Sequence, residues 1–124
     1  MNIETLREYC IAKPAVTEEF PFDQDTLVFK VLGKMFALTS LKKWEEGKGA
    51  VNLKCNPEKA EELRATYESV LPGYHMSKKH WNTVELFQGE LSTDFIKTLI
   101  DESYELVVKG MPKKQQAELK KLSS

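Results

Sequence analysis

The run Lys78-Lys79-His80-Trp81-Asn82-Thr83-Val84-Glu85-Leu86 gathers residue types that can meet an anion. Two ammonium groups and an imidazole stand directly before an indole. An aromatic face beside cations can stack a nucleic-acid base while the lysines hold its phosphates. The same order also suits a strand that buries one tryptophan and keeps its lysines in water, with Tyr74 and Phe87 close enough in sequence to pack on Trp81. The residues leave both readings open. Lys42-Lys43-Trp44 repeats the pairing, and there too the indole is either a stacking platform or a core-edge residue.

Other chemistry finds less support. His75 and His80 are five apart in a loop-to-strand region, which is not the i,i+4 spacing of a helical zinc site, and no cysteine or carboxylate stands nearby as a third ligand. There is no GxSxG elbow, and no cysteine lies near a histidine in sequence. The glycines at 33, 47, 49, 73, 89 and 110 match no phosphate-binding loop. Glu18-Glu19, Glu45-Glu46 and Glu61-Glu62 read as solvated carboxylates, since neighbours on a helix do not face each other. The expectation is a protein without catalytic machinery, metal or cofactor.

The elements that must position these residues belong to an α+β pattern. The 124 residues suit one domain spanning 1–124, and 41% hydrophobic against 30% charged residues excludes a disordered composition. No apolar run approaches the ~20 residues of a membrane span, and residues 1–5 carry no basic-then-apolar leader, so a cytoplasmic location off the membrane is expected. Cys10 and Cys55 form no CxxC pair and read as reduced, partly buried thiols. A net charge of -1 argues against strong non-specific DNA binding. The charge is uneven, however: acids dominate residues 1–25, and lysines dominate residues 26–54.

Helical spacing and Pro14 predict a helix over 2–12, followed by a loop over 14–24 that carries Phe20-Pro21-Phe22. Thr26 to Leu32 and Met35 to Leu41, joined at Gly33-Lys34, predict a β-hairpin. Alternation puts Phe36 with Leu38 on one face and Met35 with Ala37 on the other. Both faces are partly apolar, so the inner one stays unassigned. A charged loop over 42–49 leads to a third strand over 50–54. Asn56 and Pro57 start a helix expected to reach about Val70. A fourth strand near 80–87, with room for a short extra one near Tyr74-Met76, precedes a long helix capped by Ser92. Residues 113–124 form a basic tail or short helix. The order α-β-β-β-α-β-α implies an antiparallel β-sheet packed against helices on one face.

Five segments stand in a shared arrangement: Phe20-Pro21-Phe22, the hairpin Leu27 to Leu38, Val51 to Pro57, His80-Trp81-Asn82-Thr83-Val84, and Ser103-Tyr104-Glu105-Leu106-Val107. Together they resemble the MmcQ/YjbR family of small bacterial proteins, in the family's order and over nearly the whole chain. The His-Trp-Asn-Thr and Ser-Tyr-Glu-Leu-Val segments are the more specific. The resemblance implies a compact α+β fold described as a double wing related to CyaY-like proteins, with a DNA-binding label and no catalytic residues. On this reading Lys34, Lys42, Lys43, Lys54, Lys78, Lys79 and His80 would meet DNA phosphates with modest affinity, and Trp44 or Trp81 would stack. The alternative is a non-catalytic protein-interaction adaptor or chaperone-like module that uses an exposed strand edge or apolar groove, and on either reading a monomer is expected. A third reading places a small-ligand pocket around His75, His80 and Tyr104.

Overall fold

Asn2 opens the first helix by a reciprocal box. Its side chain accepts the Thr5 N–H at 2.8 Å, while Thr5 Oγ1 accepts the Asn2 N–H at 2.9 Å. This computed structural model describes residues 1–74 and 76–123. The elements are α1 (Ile3–Ile11), β1 (Val16–Glu19), β2 (Thr26–Val31), β3 (Lys34–Ser40), α2 (Leu41–Glu45), β4 (Ala50–Lys54), α3 (Pro57–Thr66), β5 (Val70–Pro72), β6 (Trp81–Glu85), α4 (Thr93–Lys109) and α5 (Lys113–Ser123). The strands form one six-stranded sheet in the order β1-β2-β3-β4-β6-β5, with every neighbouring pair antiparallel.

The helices lie on one face of this sheet, as the α+β reading expects. Leu27, Phe29, Val51, Leu53 and Val84 share a buried cluster with Leu6 and Cys10 of α1, Leu63 of α3 and Ile100 of α4. Each such side chain contributes roughly 1.5–3 kcal/mol by leaving water. The opposite face carries a separate small cluster of Val28, Leu38 and Trp81, flanked by Met35 and Met76. Among the described residues no helical one takes part in that second cluster. It is covered instead from the β5–β6 connection, which supplies Met76.

The simple alternation expected for the hairpin fails at one point. Phe29 pairs with Ala37 but Lys30 pairs with Met35, so Phe36 has no partner on β2. This extra residue is a β-bulge, and it turns Phe36 and Ala37 together toward the helices while Leu38 faces away. The Phe36 ring meets Tyr104 edge-on, with centroids 5.4 Å apart. At the bulge the Ser103 hydroxyl bridges two strands. It donates to the Phe36 carbonyl at 2.6 Å and accepts the Lys54 N–H at 2.8 Å.

Several expected boundaries move. Residues 16–19, read as loop, form β1 because Val16 to Glu19 pair with Val31 to Val28. The start of the expected charged loop is the short helix α2, capped by Ser40, whose hydroxyl accepts from the Lys43 N–H. The helix α3 stops at Thr66 rather than near Val70, since Tyr67 turns extended and Val70 pairs with Val84. A short strand is found at 70–72, and Tyr74 and Met76 belong to no strand. His75 lies outside the described residues. Residues 113–123 are helical, and buried Leu119 ties α5 to the core. No helix among the described residues is long and apolar enough to cross a membrane.

The hairpin turn itself yields a clean test. Leu32 and Gly33 sit at φ 47° and 82°, the pair of positive values that a tight two-residue turn demands. A Cβ on Gly33 would touch nothing within 4 Å, so the cost of Gly33→Ala is purely conformational. Its thermal unfolding should report a loss of about 1 kcal/mol. A loss above ~2 kcal/mol would mean that the methyl disturbs packing instead.

Candidate nucleic-acid interface

The structure divides the residues expected to form the site between two ends of the sheet. Lys34 starts β3, Lys54 ends β4 opposite Trp81, and Lys78, Lys79 and His80 occupy the turn that enters β6. Lys42 and Lys43 sit in α2, beyond the opposite end of β3. The length of β4 alone, about 13 Å, lies between the two groups. Lys34, Lys42, Lys43, Lys78, Lys79 and His80 are exposed, and Lys54 is half-buried on the helix-free face. Among the described residues none of these lysines pairs with a carboxylate, whereas Lys30 reaches Glu19 at 3.6 Å.

The two ends differ in their surroundings. Lys78 and Lys79 share a hollow with Glu58 and Glu61 at the start of α3, so the local field is mixed. The turn that carries them is anchored by Trp81 N–H to Ser77 O at 2.9 Å and by the Arg64 guanidinium to Lys78 O at 3.1 Å. Lys42 is held by Asp25. Its carboxylate accepts the Lys42 N–H at 2.7 Å and the Ser40 hydroxyl at 2.6 Å, which fixes the start of α2.

Trp81 is buried and Trp44 is half-buried. Trp81 is only 9% exposed, and Val28, Leu38, Met35 and Met76 cover it; Tyr74 and Phe87, expected to pack on it, do not belong to that cluster. Trp44 packs against the helix-side core. Its Nε1 donates to Thr39 Oγ1 at 2.7 Å, and its ring lies directly against Gly49. The stacking role expected of Trp81 is therefore corrected, and the Trp44 ring is engaged by Gly49 and, at its Nε1, by Thr39.

The exposed aromatics are elsewhere. Tyr74 is 67% exposed, Phe87 44% and Leu71 42%. All three line a groove of 260 Å³ on the helix-free face, together with Lys43, Lys48 and Glu85. Glu85 accepts a hydrogen bond from the Gln88 amide at 2.6 Å, while neither lysine meets a carboxylate among the described residues. The groove floor includes Asn52 and Thr83, which are cross-strand neighbours. Sequence reasoning missed Lys48, Asn52 and Thr83, and took Tyr74 and Phe87 for packing residues. The strict alternation of 50–54 does point Asn52 away from Val51 and Leu53, and this was the available signal.

Groups with other chemistry are occupied. Burial pushes the Cys10 thiol up to about 12 and raises Cys55 as well, which keeps both protonated at neutral pH. Tyr9 is pushed up to about 12 by burial and by its hydrogen bond to Asp101. The Tyr104 hydroxyl donates to Pro14 O at 2.7 Å, so Tyr104 belongs to the core rather than to a pocket with exposed His80. Among the described residues no group of three or more His, Cys, Asp or Glu side chains is placed to hold a metal.

Comparison with known proteins gives a consistent set of relatives. A family model described as YjbR matches residues 11–106. The chain is 38% identical over 114 residues to the uncharacterised protein YbdF of Escherichia coli O157:H7, covering 91% of this chain and 89% of that one. It is 37% identical over 116 residues to the uncharacterised protein YjbR of Escherichia coli K12, covering 94% and 95%. Among solved structures, a Deinococcus radiodurans protein with a domain of the family model DUF419 superposes with a TM-score of 0.85 at 41% identity, covering 95% and 87%. A Pseudomonas syringae protein superposes with a TM-score of 0.72 at 29% identity, covering 86% and 98%.

Proposed function

The chain belongs to the YjbR family, and on that premise we propose that it is a non-catalytic nucleic-acid-binding protein. It holds phosphates with modest affinity along the helix-free face of its sheet. One observation carries this reading: exposed aromatic side chains share a groove with Lys43 and Lys48, which form no ion pair among the described residues. Lys42, Lys43 and Lys48 form the principal phosphate contacts. Lys54, Lys78 and Lys79 make a weaker second cluster because Glu58 and Glu61 stand beside the last two. The strand edges suit a peptide partner poorly. The outer strand β5 has three residues and ends in Pro72, and β1 at the other edge carries Glu18 and Glu19.

Fluorescence anisotropy with labelled single- and double-stranded DNA, at low and near-physiological salt, tests the reading. Binding should weaken as salt rises. Replacing Lys42 and Lys43 together by glutamine should lower affinity and flatten the salt slope by about 1–2 units. The matching Lys78 and Lys79 pair should change it less. Failure to bind either DNA at low salt would discard the proposal.

A further inference from the structure

The floor of the groove is set by a hydrogen-bond relay whose direction follows from the donors present. The Tyr74 N–H donates to Thr83 Oγ1 at 3.1 Å. Thr83 Oγ1 gives its own hydrogen to Asn52 Oδ1 at 2.5 Å. The Asn52 amide thus sets its oxygen toward Thr83 and its NH₂ the other way. Among the described residues the Asn52 NH₂ meets no acceptor, and the side chain is half-buried in the groove lining. The floor thus presents two oriented donors. Tyr74 and Phe87 supply ring faces beside it, and Lys43 and Lys48 supply positive charge.

We propose that this groove takes one unpaired base of a single-stranded nucleic acid, which rests on the nucleic-acid reading above and narrows it. The base stacks on Tyr74 or Phe87, a ring carbonyl oxygen accepts from the Asn52 NH₂, and the flanking phosphates meet Lys43 and Lys48. A duplex keeps its base faces stacked and its pairing edges occupied, so it offers the groove nothing to fill it. Thymine and uracil carry carbonyl oxygens, and adenine carries none. Stacking alone favours the larger purine and adenine offers the NH₂ only ring nitrogens, so a preference for oligo(dT) or oligo(rU) over oligo(dA) that Asn52→Asp removes is the contribution of Asn52.

The experiment is an anisotropy titration of the full chain with labelled oligo(dT), oligo(rU), oligo(dA) and a duplex of equal length at low salt. Oligo(dT) or oligo(rU) should bind at least about fivefold tighter than oligo(dA) and than the duplex; the thymine and uracil arms tell DNA from RNA. Tyr74→Ala and Phe87→Ala, both at exposed positions, should weaken binding by about fivefold or more in combination. Asn52→Asp keeps an oxygen for Thr83 but replaces the donors with an acceptor. It should erase the preference over oligo(dA) with an unchanged far-ultraviolet circular dichroism spectrum. Equal or tighter duplex binding, or a thymine preference that survives Asn52→Asp, overturns this inference and leaves the broader reading standing. Absence of binding to every oligonucleotide overturns both.

Discussion

Replacing Ser103 with alanine should lower the unfolding free energy by about 3 kcal/mol, seen as an earlier urea midpoint with an unchanged slope. Ser103 is fully buried, and its hydroxyl stands between the Phe36 carbonyl and the Lys54 N–H. The bulge at Phe36 takes that part of β3 out of its ladder, so the two backbone groups have no strand partner there. Alanine removes the bridge and leaves a buried donor and a buried acceptor unmade, each at a cost of about 1–3 kcal/mol. A loss below ~1 kcal/mol would show that the strands close on each other or that water replaces the hydroxyl.

Gly49→Ala should cost about 2–3 kcal/mol for a different reason. Gly49 is buried, and a Cβ there would lie 2.4 Å from Cε3 of Trp44. The ring cannot give way cheaply. Its Nε1 is bonded to Thr39 Oγ1, which in turn donates to the Ala50 carbonyl at 2.5 Å. The added methyl therefore breaks that chain or displaces β4. Thermal unfolding followed by tryptophan emission checks it, and Trp44→Leu in the alanine background should recover part of the loss. Unchanged stability of Gly49→Ala would mean that Trp44 has a second packing position.

Local chemistry made much of the fold legible. Asn56 and Pro57 mark the start of α3, Ser92 caps α4, and the hairpin turn takes in Gly33, though at Leu32-Gly33 and one residue before the expected Gly33-Lys34. What the sequence could not reveal depends on distant partners. The strand β1 exists because β2 offers it an edge, and the acidic Thr17-Glu18-Glu19 run has little strand propensity of its own. The bulge at Phe36 cannot be read from alternation, because alternation assumes that no residue is inserted. The proposed groove also sets lysines beside aromatics, but with other rings than the sequence reading singled out, because the tryptophans are the residues large enough to be worth burying. The exposed rings are Tyr74 and Phe87, outside the regular strands.

The bare sheet face has a consequence for the entropy of binding. Asn52 lies between Val51 and Leu53, both locked in the core, on a strand paired on both sides. Its amide is already turned by Thr83 before any ligand arrives. A molecule that settles on it freezes few new torsions in the protein, so even a small number of contacts can yield usable affinity. The helices packed behind the sheet thus hold this front face in a ready shape.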